Sequence, residues 1–196
     1  EMKEAESPDG KSEERRSTLS LSRREFLKLG GGILLFFSWG DLAAQEGRRI
    51  PGAGQNVPTD FNAFLKIGTE GRVTCFTGKV ELGQGIVTSL TQILAEELDV
   101  PFDSVDMIMG DTDLCPWDMG TFGSRSIKYF GPALREAAAE AKAVLIELAS
   151  EHLKSPSEQL RAWQGAVTDT KYSSKHVSYA DLVKGKSIER HLGRKP

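Results

Sequence analysis

The sequence predicts an α+β fold in which short strands and hairpins pack with two main helices. Three observations carry that expectation. Residues 87–98 and 132–152 place apolar side chains at helical spacing along one face. Shorter apolar runs at 64–67, 72–77 and 105–109 are bounded by glycine-containing turns, as strands are. Hydrophobic residues make up 39% of the chain and the net charge is only −3, which disfavours both general disorder and a nucleic-acid role.

Taken in order, residues 1–21 are polar, with Glu4, Glu6, Asp9, Glu13 and Glu14 among Lys and Arg, and read as a disordered tail. Ser22-Arg23-Arg24-Glu25-Phe26-Leu27-Lys28 then precedes the apolar run 29–39. That run is broken by Gly30, Gly31 and Gly32 and falls short of the ~20 residues a spanning helix needs. Its size behind paired arginines is that of a signal peptide, and Ser-Arg-Arg-x-Phe-Leu-Lys resembles the twin-arginine export consensus. Leu42-Ala43-Ala44 lacks the usual small residue two positions before the final alanine, so processing after Ala44 and retention as an anchor both stand. Residues 1–44 are thus expected to be a disordered tail plus an export segment. Residues 45–60, with Gly47, Pro51, Gly52, Gly54, Asn56 and Pro58, form a linker, and 61–196 form the folded domain.

Within that domain, 64–67 and 72–77 are expected to pair as a hairpin across Gly68-Thr69-Glu70-Gly71. The helix 87–98 buries Leu90, Ile93, Leu94 and Leu98 and is closed by Asp99 and Pro101. A strand at 105–109 leads into the loop Gly110-Asp111-Thr112-Asp113. The helix 132–152 carries Pro132 near its first turn, where a missing N–H is harmless, and buries Leu134, Ala138, Ala141, Leu145 and Leu148. Residues 157–162 read as a further helical turn, and segments around Val167 and Val177 as a second hairpin. Ser178-Tyr179-Ala180-Asp181 caps a short helix ending at Gly185. Residues 186–196 are polar and predict no regular structure.

The ordinary chemical groupings are thin. Arg23-Arg24 and Arg48-Arg49 are too short for a nucleic-acid-binding face. Cys75 and Cys115 form no Cys-x-x-Cys pattern and read as idle thiols, with a disulfide in an oxidising compartment as the alternative. His152, His176 and His191 share no ligand spacing, so no protein metal ligand is expected.

Two loops are informative: Glu81-Leu82-Gly83-Gln84-Gly85 and Gly120-Thr121-Phe122-Gly123-Ser124-Arg125-Ser126. Each precedes a predicted helix start, where unpaired N–H groups and partial positive charge attract anions. Glycine permits close backbone approach, Gln84 both donates and accepts, and Ser124 and Ser126 add hydroxyls. Arg125 offers charge to a phosphate or faces solvent. Gly83-Gln84-Gly85 lacks the third glycine of the dinucleotide fingerprint, and the Walker lysine is absent.

At these residues the sequence resembles the molybdenum hydroxylase family of xanthine dehydrogenases and aldehyde oxidoreductases. The carriers are Lys79-Val80-Glu81-Leu82-Gly83-Gln84-Gly85 with Thr88, Gln92 and Ala95-Glu96-Glu97-Leu98, then Asp111-Thr112, Thr121-x-Gly123-Ser124-Arg125-Ser126 and Gly131-x-Ala133. The resemblance is strongest to large subunits of the isoquinoline 1-oxidoreductase type and to membrane-associated aldehyde dehydrogenases. It makes 61–196 part of a larger molybdopterin-binding domain.

The resemblance implies that Gly83, Gln84, Gly85, Thr121, Gly123, Ser124, Arg125 and Ser126 line the pterin and its pyrophosphate. It implies molybdopterin in its cytosine dinucleotide form, with molybdenum held by the cofactor's own sulfurs. It further implies [2Fe–2S] clusters on a small partner subunit, the remainder of the large subunit, a cytochrome c acceptor and a periplasmic location. The family's catalytic glutamate lies in a Gly-x-Gly-Glu motif, which this chain lacks, as it lacks the Gly-Gly-x-Phe-Gly segment. No catalytic residue is therefore assigned, and Glu81 reads as structural. Glu1 at the start and the polar end at Pro196 suggest a fragment or split subunit. The functional expectation is the cofactor-binding portion of an enzyme that hydroxylates an N-heterocycle or oxidises an aldehyde. The alternatives are a truncated non-catalytic relic and an exported binding domain without turnover.

Overall fold

The computed structural model describes residues 31–37, 63–118 and 120–192. The polar tail, the paired arginines, the 45–60 linker and the Leu42-Ala43-Ala44 site lie outside the described residues.

The expected hairpin forms: β2 (Ala63–Ile67) and β3 (Val73–Thr77) pair antiparallel, with Leu65 opposite Cys75. Gly71 takes φ 80° in the turn, and its N–H bonds Gly68 O at 2.9 Å. The first helix, α1 (Ile86–Leu98), buries Ile86, Leu90, Leu94 and Leu98 on one stripe. It ends where Asp99 turns left-handed at φ 53°, and Pro101 follows. The chain returns as β4 (Val105–Met109), parallel to β3. The long helix α2 (Gly131–Leu153) lies against α1, with Ala133, Ala137, Ala138 and Ala141 buried. A π-helical turn, Ser126–Phe130, leads into it, which the 3.6-residue pattern did not predict.

Three segments depart from the sequence expectation. Gly32–Phe37, inside the apolar run read as the export segment, is a strand, β1. It is also an interior strand. The main sheet runs β4-β3-β2-β1-β8, so β1 has a neighbour on both sides. A piece of 1–44 thus lies in the same sheet as strands of 61–196. The polar segment expected to be irregular supplies the edge strand β8 (Ser187–Leu192), parallel to β1. Glu189 and Arg190 on that edge blunt further pairing and masked the strand pattern. Finally, only Ser157–Gln159 make a short 3₁₀ turn; Leu160–Trp163 is strand β5. Leu160 and Ala162 are buried while Arg161 and Trp163 are exposed, a period of two.

β5 pairs with β6 (Ala166–Asp169) across Gln164 and Gly165, both at positive φ (50° and 75°), as a two-residue hairpin turn of the primed type requires. β7 (His176–Ser178) completes this smaller sheet, with Val177 opposite Val167 as expected. Ser178 accepts from Asp181 N–H and caps the short helix α3 (Tyr179–Val183).

The sheet is covered on both faces. Ile33, Leu35, Phe37, Leu65, Ile67, Val73 and Cys75 meet α1 and α2 in one core. Leu34, Phe36, Phe64, Phe76 and Cys115 cluster on the other side, where the rings of Phe36 and Phe64 meet edge-on at 4.9 Å. Cys75 and Cys115 are free buried thiols, and burial pushes the Cys75 thiol well up. The small sheet is pinned to the end of α1: Gly165 N–H donates to Asp99 O at 2.8 Å, and the buried Tyr179 hydroxyl donates to Leu98 O at 2.7 Å. Tyr179→Phe removes that donor and strands the Leu98 carbonyl. The expected loss is about 1–3 kcal/mol in urea unfolding, with little change in m.

Candidate functional site

Parallel strands release their chains at the same edge of a sheet. Thr77 and Met109 are register partners at the ends of β3 and β4, and Gly110 N–H donates to Thr77 O at 3.2 Å. The loops that follow, 78–85 and 110–126, therefore begin side by side. Gly78 lets them touch, since a Cβ there would lie 2.6 Å from Asp118 Cβ and 2.8 Å from Pro116 O.

From that contact the loops are stitched together. Lys79 Nζ donates to Asp118 Oδ1 at 2.7 Å and to Gly120 O at 2.9 Å. Both side chains are buried, at 4% and 0% exposure, so solvent does not screen the pair. Gly120 N–H shares Asp118 Oδ1 at 2.8 Å. One residue on, Val80 N–H donates to Thr121 Oγ1 at 2.8 Å. The two glycine loops singled out in the sequence thus form one surface.

The polar side chains of the first loop bond within the loop and to the start of α1. The Glu81 carboxylate sits over the start of α1. It accepts from Gly83 and Gly85 N–H through Oε1 at 3.1 and 2.7 Å, and from Val87 N–H through Oε2 at 2.8 Å. The anion at this helix start is the protein's own side chain, which agrees with the structural reading of Glu81. The amides of Val87 and Gly85 are the main cause of its lowered pKa, below the ordinary 4.5. Gln84 is engaged locally as well: Oε1 accepts from Leu82 N–H at 2.5 Å, and Nε2 donates to Val80 O at 3.0 Å. Gln84 therefore fixes the loop's shape, while Gly83 and Gly85 (φ 94° and 76°) face open space that a ligand can approach closely.

The lowered pKa of Glu81 fixes the sign of a pH effect. A depressed carboxylate contributes stability fully above its unfolded pKa and loses it as pH falls through the lower folded value. Acid titration followed by amide exchange at 83–87 is expected to show this start of α1 opening below about pH 4.5. Glu81→Gln will remove that step.

The second loop leaves its helix start open. Gly120, Gly123 and Ser124 take φ 119°, 60° and 55°, and Arg125 then turns right-handed at φ −89°. The Arg125 N–H donates back to Phe122 O at 3.3 Å, which closes the turn ahead of Ser126. Among the described residues no side-chain hydrogen bond caps the Ser126–Phe130 turn or α2 behind it. Ser124 is exposed, Ser126 is buried, and the Arg125 guanidinium lies 5.1 Å from the Phe122 ring centre. Of the eight residues named from the sequence, Gly83, Gln84 and Gly85 lie on the first loop and Thr121, Gly123, Ser124 and Arg125 on the second, while Ser126 is buried at the start of the turn that follows. Thr121 serves the junction itself.

Lys79 and Asp118 were the residues that sequence reasoning missed as a pair. They are 39 positions apart, and nothing local announces that Asp118 is buried. Its Oδ2 is also buried and has no hydrogen-bond partner among the described residues. Among the described residues, most exposed large apolar side chains border the same loops: Val80, Leu82, Val87, Trp117, Phe122 and Ile127. Leu82 is 85% exposed.

A family profile described as molybdopterin cofactor-binding domain matches residues 8–194. The chain belongs to that family. It is 40% identical over 129 residues to a nicotinate dehydrogenase chain of Pseudomonas putida, covering 66% of this chain and 11% of that protein. It is 30% identical over 174 residues to the beta chain of isoquinoline 1-oxidoreductase of Brevundimonas diminuta, covering 85% and 22%. Among solved structures, quinoline 2-oxidoreductase from Pseudomonas putida 86 matches with a TM-score of 0.54 at 28% identity, over 61% of this chain and 15% of that one. The chain thus spans roughly a tenth to a fifth of these relatives, and it is a partial molybdopterin-binding domain of the molybdenum hydroxylase type.

The residues present fit that cofactor. It carries phosphate and a flat heterocycle, and the joined loops offer an uncapped helix start, open glycine faces and Arg125. No group of three or more His, Cys, Asp or Glu able to hold a metal occurs among the described residues.

Proposed function

We propose that this chain is the loop-bearing part of an exported molybdenum hydroxylase large subunit, acting on an N-heterocycle or an aldehyde. The observation that carries the reading is the junction of the two loops through Lys79, Asp118, Val80 and Thr121. Gly123, Ser124, Arg125 and Ser126 hold the phosphate end, and Gly83, Gln84 and Gly85 meet the pterin. When bound, the cofactor supplies two-electron oxidation of the substrate carbon with oxygen drawn from water. This chain's own groups bind and orient it. The base for the reaction comes from a segment that this sequence does not contain.

The relatives, which are themselves parts of larger enzymes, support the same division of labour. The exposed apolar rim around the loops is the surface that the remainder of the large subunit covers. Electrons leave to [2Fe–2S] clusters on a small subunit and then to a cytochrome c. The twin-arginine residues carry the folded protein to the periplasm.

The test is to co-express this chain with the neighbouring coding region and the iron–sulfur subunit, then identify the nucleotide released from the pterin. Cytosine monophosphate supports the dinucleotide form, and guanine or no nucleotide contradicts it. Export is read separately, by locating the chain in periplasmic and cytoplasmic fractions with Arg23 and Arg24 intact or changed to lysine.

A further inference from the structure

The apolar run behind the paired arginines contains an interior strand of the main sheet, Gly32–Phe37. Ile33, Leu35 and Phe37 are 0% exposed, facing α1 and α2, and Leu34 and Phe36 are 5% exposed on the opposite face. β1 is held from both sides: Ile33 to Phe37 pair antiparallel with Ile67 to Ala63, and Gly32 to Phe37 pair in parallel with Ser187 to Leu192. An export receptor that reads an apolar segment cannot reach one in this position. The strand also braces the site, since the Phe37 ring stacks on Phe130 at 5.8 Å, at the end of the turn that follows the second loop.

We propose that Gly32–Phe37 is an exchangeable strand that hides the apolar part of the export segment while it completes the sheet. The inference rests on the reading of this chain as an exported protein. In place, β1 closes the core and supports Phe130; withdrawn, it is available to the export machinery and leaves a one-strand gap between β2 and β8. Export of the folded chain then requires β1 to unpair from both neighbours. Glycines border the strand on its amino-terminal side. Gly31 and Gly32 adopt φ 70° and 112°, and Gly32 N–H donates to Lys186 O at 2.8 Å, a hinge built from backbone alone.

The experiment locks the strand. Leu34 and Lys66 are register partners on β1 and β2. Leu34→Cys with Lys66→Cys in the full chain, in a background with Cys75→Ser and Cys115→Ser, permits a cross-strand disulfide, or a short bis-maleimide bridge between the same thiols. Transport into inverted inner-membrane vesicles is measured for the locked and reduced forms. Transport of the reduced form together with its loss in the locked form is the expected result. Equal transport of both forms overturns the proposal and leaves the export reading intact. No transport of the wild-type chain removes the export reading and the proposal with it. Amide exchange of 33–37 in the unexported wild-type chain gives an independent check: slow exchange is expected, and exchange at the rate of a free peptide overturns the proposal.

Discussion

Lys79→Met is expected to destabilise the chain by about 3–5 kcal/mol, because it leaves the Asp118 carboxylate buried without its counter-charge. Asp118 is fully buried, one of its oxygens has no partner among the described residues, and the other loses its Lys79 bond. Water is not at hand to replace the ammonium. The same change releases Gly120 O, so the second loop loses its tie to the first. Double replacement, Lys79→Met with Asp118→Leu, removes both charges and will recover most of the stability. It will not recover the loop junction. Urea unfolding of the single and double variants separates the two effects: recovered stability with weakened cofactor retention identifies the pair as a positioning device. A single variant that loses less than about 1 kcal/mol contradicts the burial on which the argument depends.

Gly78→Ala will damage the site by overpacking. Its Cβ falls 2.6 Å from Asp118 Cβ and 2.8 Å from the Pro116 carbonyl oxygen, and a backbone atom cannot swing aside as a side-chain end can. Strain of this kind costs about 1–3 kcal/mol. Separation of the loops is the consequence that matters, because Val80 N–H and Thr121 Oγ1 meet only while Gly78 holds them close. Molybdenum content of the assembled complex is therefore expected to fall more steeply for Gly78→Ala than for Gly185→Ala, on the turn between α3 and β8, whose added Cβ meets open space. Alanine at Gly185 (φ 71°) bears only the local cost of a left-handed backbone, about 1–2 kcal/mol, and displaces neither loop. Equal losses would mean that the junction does not govern binding.

The elements easiest to read in the sequence were those with strong internal periodicity. Leu90, Leu94 and Leu98 gave α1 to within a residue, and the Gly68–Gly71 turn gave the first hairpin. Ser178 gave the cap of α3. β1 was not legible because Gly-Ile-Leu-Leu-Phe-Phe has no alternation: a strand buried on both faces and the apolar part of an export segment present the same run. β8 was hidden for the opposite reason, since Glu189 and Arg190 belong to an exposed edge. The hairpin at Gln164-Gly165 lacked the Asn-Gly or Asp-Gly that marks such turns.

Of the site, the two glycine loops were legible as separate loops, and their resemblance to one family joined them in principle. Their contact depends on Gly78, Lys79 and Asp118, whose pairing is long-range and leaves no local pattern. Glu81 shows the limit of the helix-start argument. The positive end of α1 exists, but the chain fills it with its own carboxylate, which leaves the start of the Ser126–Phe130 turn as the place proposed for the anion of a ligand.

The central claim is that the joined loops hold molybdopterin. It is tested most directly by measuring molybdenum and released pterin per chain, in the complex purified with the rest of the large subunit and the iron–sulfur subunit. Wild-type complex is expected to carry both close to one per chain, and Gln84→Ala, which frees Leu82 N–H and Val80 O, to retain less of each while the subunits still assemble. An assembled, soluble complex with neither metal nor pterin would contradict the account and leave a truncated relic of the family.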